Sequence, residues 1–217
     1  MFRHIPNALT GTRLVLGVIF FIMLSYYQYE GRGDPTFLNI ALLVYVIAVI
    51  TDYFDGYLAR KWSVEGAFGR IVDPFVDKVL VLGSFAFFAG KNFIIQDTIA
   101  SAAEHVMVVR TISGVPPGVV VILLARELLV TSLRGESEAA GQSFGAKFVG
   151  KFKMGVQSTT IFVILIYVNY FRQFQLWGCE TPIRYFRNFC IWTTVIVTLY
   201  SAWEYLRAGR RLMNRGK

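Results

Sequence analysis

Six long apolar runs, separated by short polar and basic segments, leave this chain few ways to fold. They cover about residues 14–29, 36–58, 73–90, 115–133, 154–171 and 185–206. A helix needs about 20 apolar residues to cross the hydrocarbon core of a bilayer, and runs of this kind approach or reach that length. The 217 residues are 55% hydrophobic, which is high for a soluble domain and fits a membrane protein. The connecting segments are short and no internal repeat is present. We therefore expect a single-domain, all-α integral membrane protein, a bundle of six transmembrane helices. Residues 1–13, MFRHIPNALTGTR, are expected to form a short interfacial helix with Phe2, Ile5 and Leu9 toward lipid. They show no cleavable signal pattern. Residues 91–114 are mixed in character and read equally as an interfacial helix or an ordered outer loop. Cys179 and Cys190 form neither a disulfide framework nor a metal motif.

Charge orients the bundle. The net charge is +8, and beside apolar runs of this length it favours lipid headgroups and phosphorylated substrates over nucleic acid. Six spans put both termini on one side. That side carries Arg3, Arg13, Arg60, Lys61, Arg70, Arg134, Lys147, Lys151, Lys153 and the basic tail from Arg207 to Lys217. The other carries only Arg32, Lys91, Arg110, Arg172, Arg184 and Arg187. The richer side is expected to be cytoplasmic, in the inner (cell) membrane.

The same side holds the acidic stretch DYFDGYLARKWSVEGAFGRIVDPFVDK, from Asp52 to Lys78. Asp52 and Asp55 are three apart and Asp73 and Asp77 four apart, so each pair lies within about 60° on one helix face. A hairpin of the two helices can bring both pairs together. At ~5 Å and an effective dielectric of ~20, each pair of bare carboxylates repels by roughly 3 kcal/mol. A divalent cation relieves this, and oxygen-only ligands suit Mg²⁺ or Mn²⁺. The plainer reading is that these acids cap helices or pair with Arg60, Arg70 and Lys78. Capping, however, needs one acid per helix end, not two on one face.

Further basic residues interrupt the apolar runs. A charge at mid-membrane costs roughly 2.5–3.5 kcal/mol on insertion scales, so its presence calls for a role. Arg126, Arg134 and Lys151 can converge on one anion, and arginine forks match phosphate oxygens. Alternatively Arg126 pairs with Glu127 or an aspartate, while Lys151 and Lys153 only mark the basic flank. His4 and His105 read as incidental.

The spacing Asp52-x-x-Asp55-Gly56-x-x-Ala59-Arg60, then eight residues, then Gly69-x-x-x-Asp73-x-x-x-Asp77, resembles the signature of the CDP-alcohol phosphotransferase family at all eight fixed positions. Three further segments resemble the branch of that family whose acceptor is glycerol 3-phosphate. These are Ile5–Thr10 with Arg13, Ala125–Glu127 continuing to Ser132–Arg134, and Gly150–Lys153. The resemblance implies transfer of the phosphatidyl group of CDP-diacylglycerol to sn-glycerol 3-phosphate. It implies that Asp52, Asp55, Asp73 and Asp77 hold two divalent ions and that Asp77 is also the general base. It further implies that Gly56 and Gly69 let the nucleotide approach the backbone, that Ala59 leaves room for cytidine, and that Arg60, Asn7 and Thr10 contact the nucleotide. From the signature together with these three basic positions, Arg126, Arg134 and Lys151 are expected to hold the acceptor phosphate. The family also implies a homodimer. Other members use phosphatidylglycerol, inositol phosphate or serine as acceptor. A cation transporter built on the acidic cluster is the non-enzymatic alternative, but it leaves Gly56, Arg60 and Gly69 without a use.

Overall fold

The computed structural model describes the backbone of residues 5–31, 33–62, 67–100, 105–139 and 148–213. Within these it describes the side chains of residues 10–31, 33–52, 72, 74–95, 110–137 and 149–209. The described elements are α1 (Ile5–Tyr26), α2 (Pro35–Trp62), α3 (Ala67–Phe88), β1 (Ile94–Ala100), β2 (His105–Thr111), α4 (Pro117–Ala139), α5 (Phe148–Leu176) and α6 (Glu180–Met213). Each expected apolar run lies within one helix, apart from a few residues at the ends of the first, third and fourth. The helices differ from the expectation mainly at their ends, where they continue through polar flanks. Satisfying backbone groups inside a helix is easier than leaving them free beside a bilayer.

Three expectations change. The interfacial helix over residues 1–13 is not a separate element, because α1 runs unbroken from Ile5 to Tyr26. Arg13 lies inside that helix and is buried, held by acids from two neighbours. The third run, expected to begin near residue 73 with Pro74 in its first turn, starts earlier. Pro74 lies inside α3, which begins at Ala67. The missing N–H of Pro74 therefore frees a carbonyl one turn earlier, a defect that membrane helices tolerate. Finally, of the two readings open for the segment between α3 and α4, the interfacial helix does not form, and the ordered loop takes the form of a hairpin. A short 3₁₀ turn, Lys91–Phe93, leads into an antiparallel hairpin with Ile94 opposite Thr111 and Ala100 opposite His105. The runs Ile94-Ile95 and Val106–Val109 are rich in β-branched residues, which suit a pleated surface.

The hairpin is tied to the bundle at its base. Ile112 N–H donates to Phe93 O at 2.7 Å, and Ser113 Oγ donates to Phe88 O at 2.6 Å. The Arg187 guanidinium of α6 donates to Ile112 O at 2.6 Å. The turn between α5 and α6 is tight. Gly178 has φ +68°, its N–H donates to Gln175 O, and Cys179 N–H donates to Phe174 O. This is a Schellman cap, and the left-handed position favours glycine.

The core gathers Phe20, Tyr45, Phe85, Phe88, Phe93, Leu123 and Ile161, all essentially inaccessible. Outward faces are apolar as well: Val15, Val18 and Ile22 on α1, Leu43, Ile47 and Ile50 on α2, and Trp192, Ile196 and Trp203 on α6. Such continuous exposed apolar surface fits a lipid surround. Among the described residues, two segments are long and apolar enough alone to cross a membrane, Pro35–Asp52 in α2 and Val149–Leu176 in α5. Polar contacts knit the last helices together. Thr160 meets Thr194 at 2.8 Å, and Gln157 Nε2 donates to Thr198 at 3.5 Å. Hydroxyl and amide pairs of this kind act as interhelical glue where water is scarce.

Candidate active site

Three helices meet at Arg13. Its Nη1 lies 2.8 Å from Asp52 Oδ1 of α2 and 3.3 Å from Asp77 Oδ1 of α3. The arginine is 1% exposed, and a buried guanidinium is tolerable only when paired. The α2–α3 hairpin thus brings one acid from each pair to a single point. Asp55 and Asp73 lie on the same two helices, one turn from Asp52 and Asp77 respectively. Their side chains, and those of Asn7, Gly56, Ala59, Arg60 and Gly69, lie outside the described residues. Among the described residues, Lys78 turns toward α4. Its Nζ donates to Thr131 Oγ1 at 2.8 Å. Thr10 is fully buried one turn before Arg13.

Beside this cluster opens a cavity of about 280 Å³ between α3, α4, α5 and α6. Asp77, Lys78, Arg126, Glu127, Arg134, Lys151, Lys153 and Tyr205 line it, with Val81, Leu82, Val130 and Met154 as apolar wall. Basic groups outnumber acids, so its interior favours an anion. The three residues expected at an acceptor phosphate, Arg126, Arg134 and Lys151, all face this one space. A second, smaller cavity of about 30 Å³ is lined by Arg13, Tyr45, Asp52, Asp77 and Ser158. Asp77 belongs to both, standing between the acidic cluster and the basic cavity.

The arginines are held by named partners. Arg126 Nη1 donates to Glu127 Oε1 at 2.8 Å, and its Nη2 donates to Ser201 Oγ. Glu127 also accepts from Lys153 Nζ. The pairing of Arg126 with Glu127 therefore does form, and it coexists with a place on the cavity wall. Lys153 is more than a flanking charge, since it is buried against Glu127. Arg134 Nη2 donates to the Tyr205 hydroxyl at 2.8 Å. The Arg126 and Arg134 guanidinium carbons each lie 5.4 Å from the centre of the Tyr205 ring.

Several of these residues escape a reading of spacing alone. Arg13 looks like one more cytoplasmic charge until the fold places it between Asp52 and Asp77. Tyr205 resembles any interfacial aromatic. A faint signal does exist in α6, where Thr194, Thr198, Ser201 and Tyr205 recur at intervals of three and four and so share a face. The two cysteines are both free, as their number suggests.

The donor set admits divalent cations. Hard carboxylate oxygens from two helices converge on one positive group, and oxygen donors of this kind suit Mg²⁺ or Mn²⁺. Among the described residues no three His, Cys, Asp or Glu side chains cluster, the other two acids lying outside them.

Residues 3–200 match the family described as CDP-alcohol phosphatidyltransferase. A CDP-diacylglycerol–glycerol-3-phosphate 3-phosphatidyltransferase of Bacillus subtilis is 30% identical over 209 residues, 93% of each chain. Proteins of the same name from Pectobacterium atrosepticum and Salmonella typhimurium are 26% and 27% identical, each over 95% of both chains.

Proposed function

The chain belongs to the CDP-alcohol phosphatidyltransferase family, and from that premise we propose that it moves the phosphatidyl group of CDP-diacylglycerol onto sn-glycerol 3-phosphate. The products are phosphatidylglycerol phosphate and CMP. The supporting observation is the shared position of Asp77, which lines the acidic cluster on one side and the basic cavity on the other.

Each residue then has a task. Arg126, Arg134 and Lys151 bind the phosphate of the acceptor and aim its free hydroxyl at Asp77. Asp77 takes the hydroxyl proton as general base. The acceptor oxygen bonds to the phosphorus that carries the diacylglycerol, the bond from that phosphorus to the CMP oxygen breaks, and CMP leaves. Asp52, Asp55, Asp73 and Asp77 would hold two Mg²⁺ or Mn²⁺ ions, which when bound neutralise the diphosphate and its leaving charge. Gly56, Ala59, Arg60 and Gly69, with Asn7 and Thr10 of α1, hold the nucleotide. The lipid tails remain in the bilayer against the exposed apolar faces of the helices.

This reading places six spans in the cell (inner) membrane, with both termini and the acidic cluster on the cytoplasmic side and two copies forming a homodimer. The excess of basic residues at that end supports the orientation. Its test is direct. Purified protein in detergent is given labelled CDP-diacylglycerol, Mg²⁺ and, in turn, glycerol 3-phosphate, phosphatidylglycerol, inositol phosphate and serine. Only glycerol 3-phosphate is expected to release CMP at a substantial rate; release with another alcohol alone would reassign the acceptor. Asp77→Asn is expected to lower CMP release by about 10³-fold or more while CDP-diacylglycerol still binds. Full activity in that variant would remove the base assignment.

A further inference from the structure

We propose that Tyr205 is a positioning residue that sets the spacing of the two acceptor arginines and so tunes the site toward a phosphate monoester. This rests on the acceptor-site reading above and extends it to a residue beyond the family match, which ends at residue 200.

Arg126 and Arg134 are eight residues apart on α4, which separates their backbones by roughly 12 Å along the axis. Two forks at that distance do not meet on one phosphate unless something gathers them. Tyr205 is the common element. It is fully buried, and both guanidinium carbons approach its ring centre to 5.4 Å. Cations are drawn to an aromatic ring at this range, more strongly where water is excluded. The Tyr205 hydroxyl then accepts from Arg134 Nη2 at 2.8 Å, fixing the rotation of that fork. Ser201, one turn earlier on the same face of α6, accepts from Arg126 Nη2 and fixes the other.

The ring itself has little freedom. A Cβ on Gly150 would stand 3.3 Å from the Tyr205 hydroxyl, so α5 closes against it. The hydroxyl face of α6 is locked further along by the Thr194 and Thr198 contacts with α5. Tyr205 thus joins a rigid stripe of α6 to both arginines that line the cavity. A phosphate monoester presents several anionic oxygens to two converging forks, whereas a neutral alcohol presents only an uncharged hydroxyl oxygen.

Steady-state kinetics test this with each substrate varied in turn. Tyr205→Phe, which keeps the ring, is expected to raise KM for glycerol 3-phosphate about three- to tenfold, as loss of one hydrogen bond predicts. Tyr205→Leu, which removes ring and hydroxyl, is expected to raise it about thirtyfold or more. In both, kcat stays within about twofold and KM for CDP-diacylglycerol is unchanged. An unchanged KM for glycerol 3-phosphate in folded Tyr205→Leu overturns the role. So does an equal loss across kcat and both KM values, which marks a merely structural residue. Where Tyr205→Leu fails to fold, Tyr205→Phe decides by the same criteria. Arg134→Ala separates the two levels. If it leaves KM for glycerol 3-phosphate unchanged, the acceptor site itself is misassigned. If it raises that KM while the Tyr205 variants do not, only the role of Tyr205 falls.

Discussion

Glu127 shows how much a single buried carboxylate can organise. It is 8% exposed and accepts from Arg126 and from Lys153, which are themselves buried. Removing one partner from a buried ionic cluster leaves charge without compensation, at a cost of about 3–5 kcal/mol. Glu127→Gln is therefore expected to destabilise the protein by about 3 kcal/mol, read as earlier thermal unfolding in detergent. A transition coincident with the parent would mean that Arg126 and Lys153 find other partners. Arg126 stands out in the sequence as a charge within an apolar run. That Glu127 binds Lys153, 26 positions away, does not.

At the scale of elements, the helices follow from apolar content, while their ends and the hairpin do not. Apolar runs mark what lipid or core can cover, but helical hydrogen bonding extends past them wherever the flanking residues permit. The β1–β2 hairpin depends on its anchor. Gly114 has φ +70°, and a Cβ there would stand 2.5 Å from the Arg187 guanidinium. A left-handed conformation alone costs an L-residue roughly 1–2 kcal/mol. Gly114→Ala is expected to speed hydrogen exchange in β1 and β2 and to lower the unfolding temperature. Arg187 and Tyr205 are separated by about 27 Å along α6, so kcat should hold. Unchanged exchange in the hairpin would show that the Arg187 contact does not anchor it.

For the whole molecule, the two ends of the bundle differ in kind. One joins Asp52, Asp77, the basic cavity and the C-terminal end of α6; the other carries the hairpin and the tight α5–α6 turn. With Cys179 and Cys190 replaced, Trp177→Cys is expected to react with a membrane-impermeant maleimide in intact cells. Arg207→Cys is expected to react only after permeabilisation. Both native residues are exposed, so labelling of the two positions from the same side would refute the proposed topology. Periodicity and apolar content by themselves determined that this chain makes long helices and that the aspartates fall on shared helix faces, because both follow from local geometry. Only the tertiary structure decided that Arg13 meets Asp77, 64 positions away, as well as Asp52, and that Tyr205 gathers two arginines from another helix. Contacts between distant segments depend on how whole helices pack, and no local pattern encodes which faces meet.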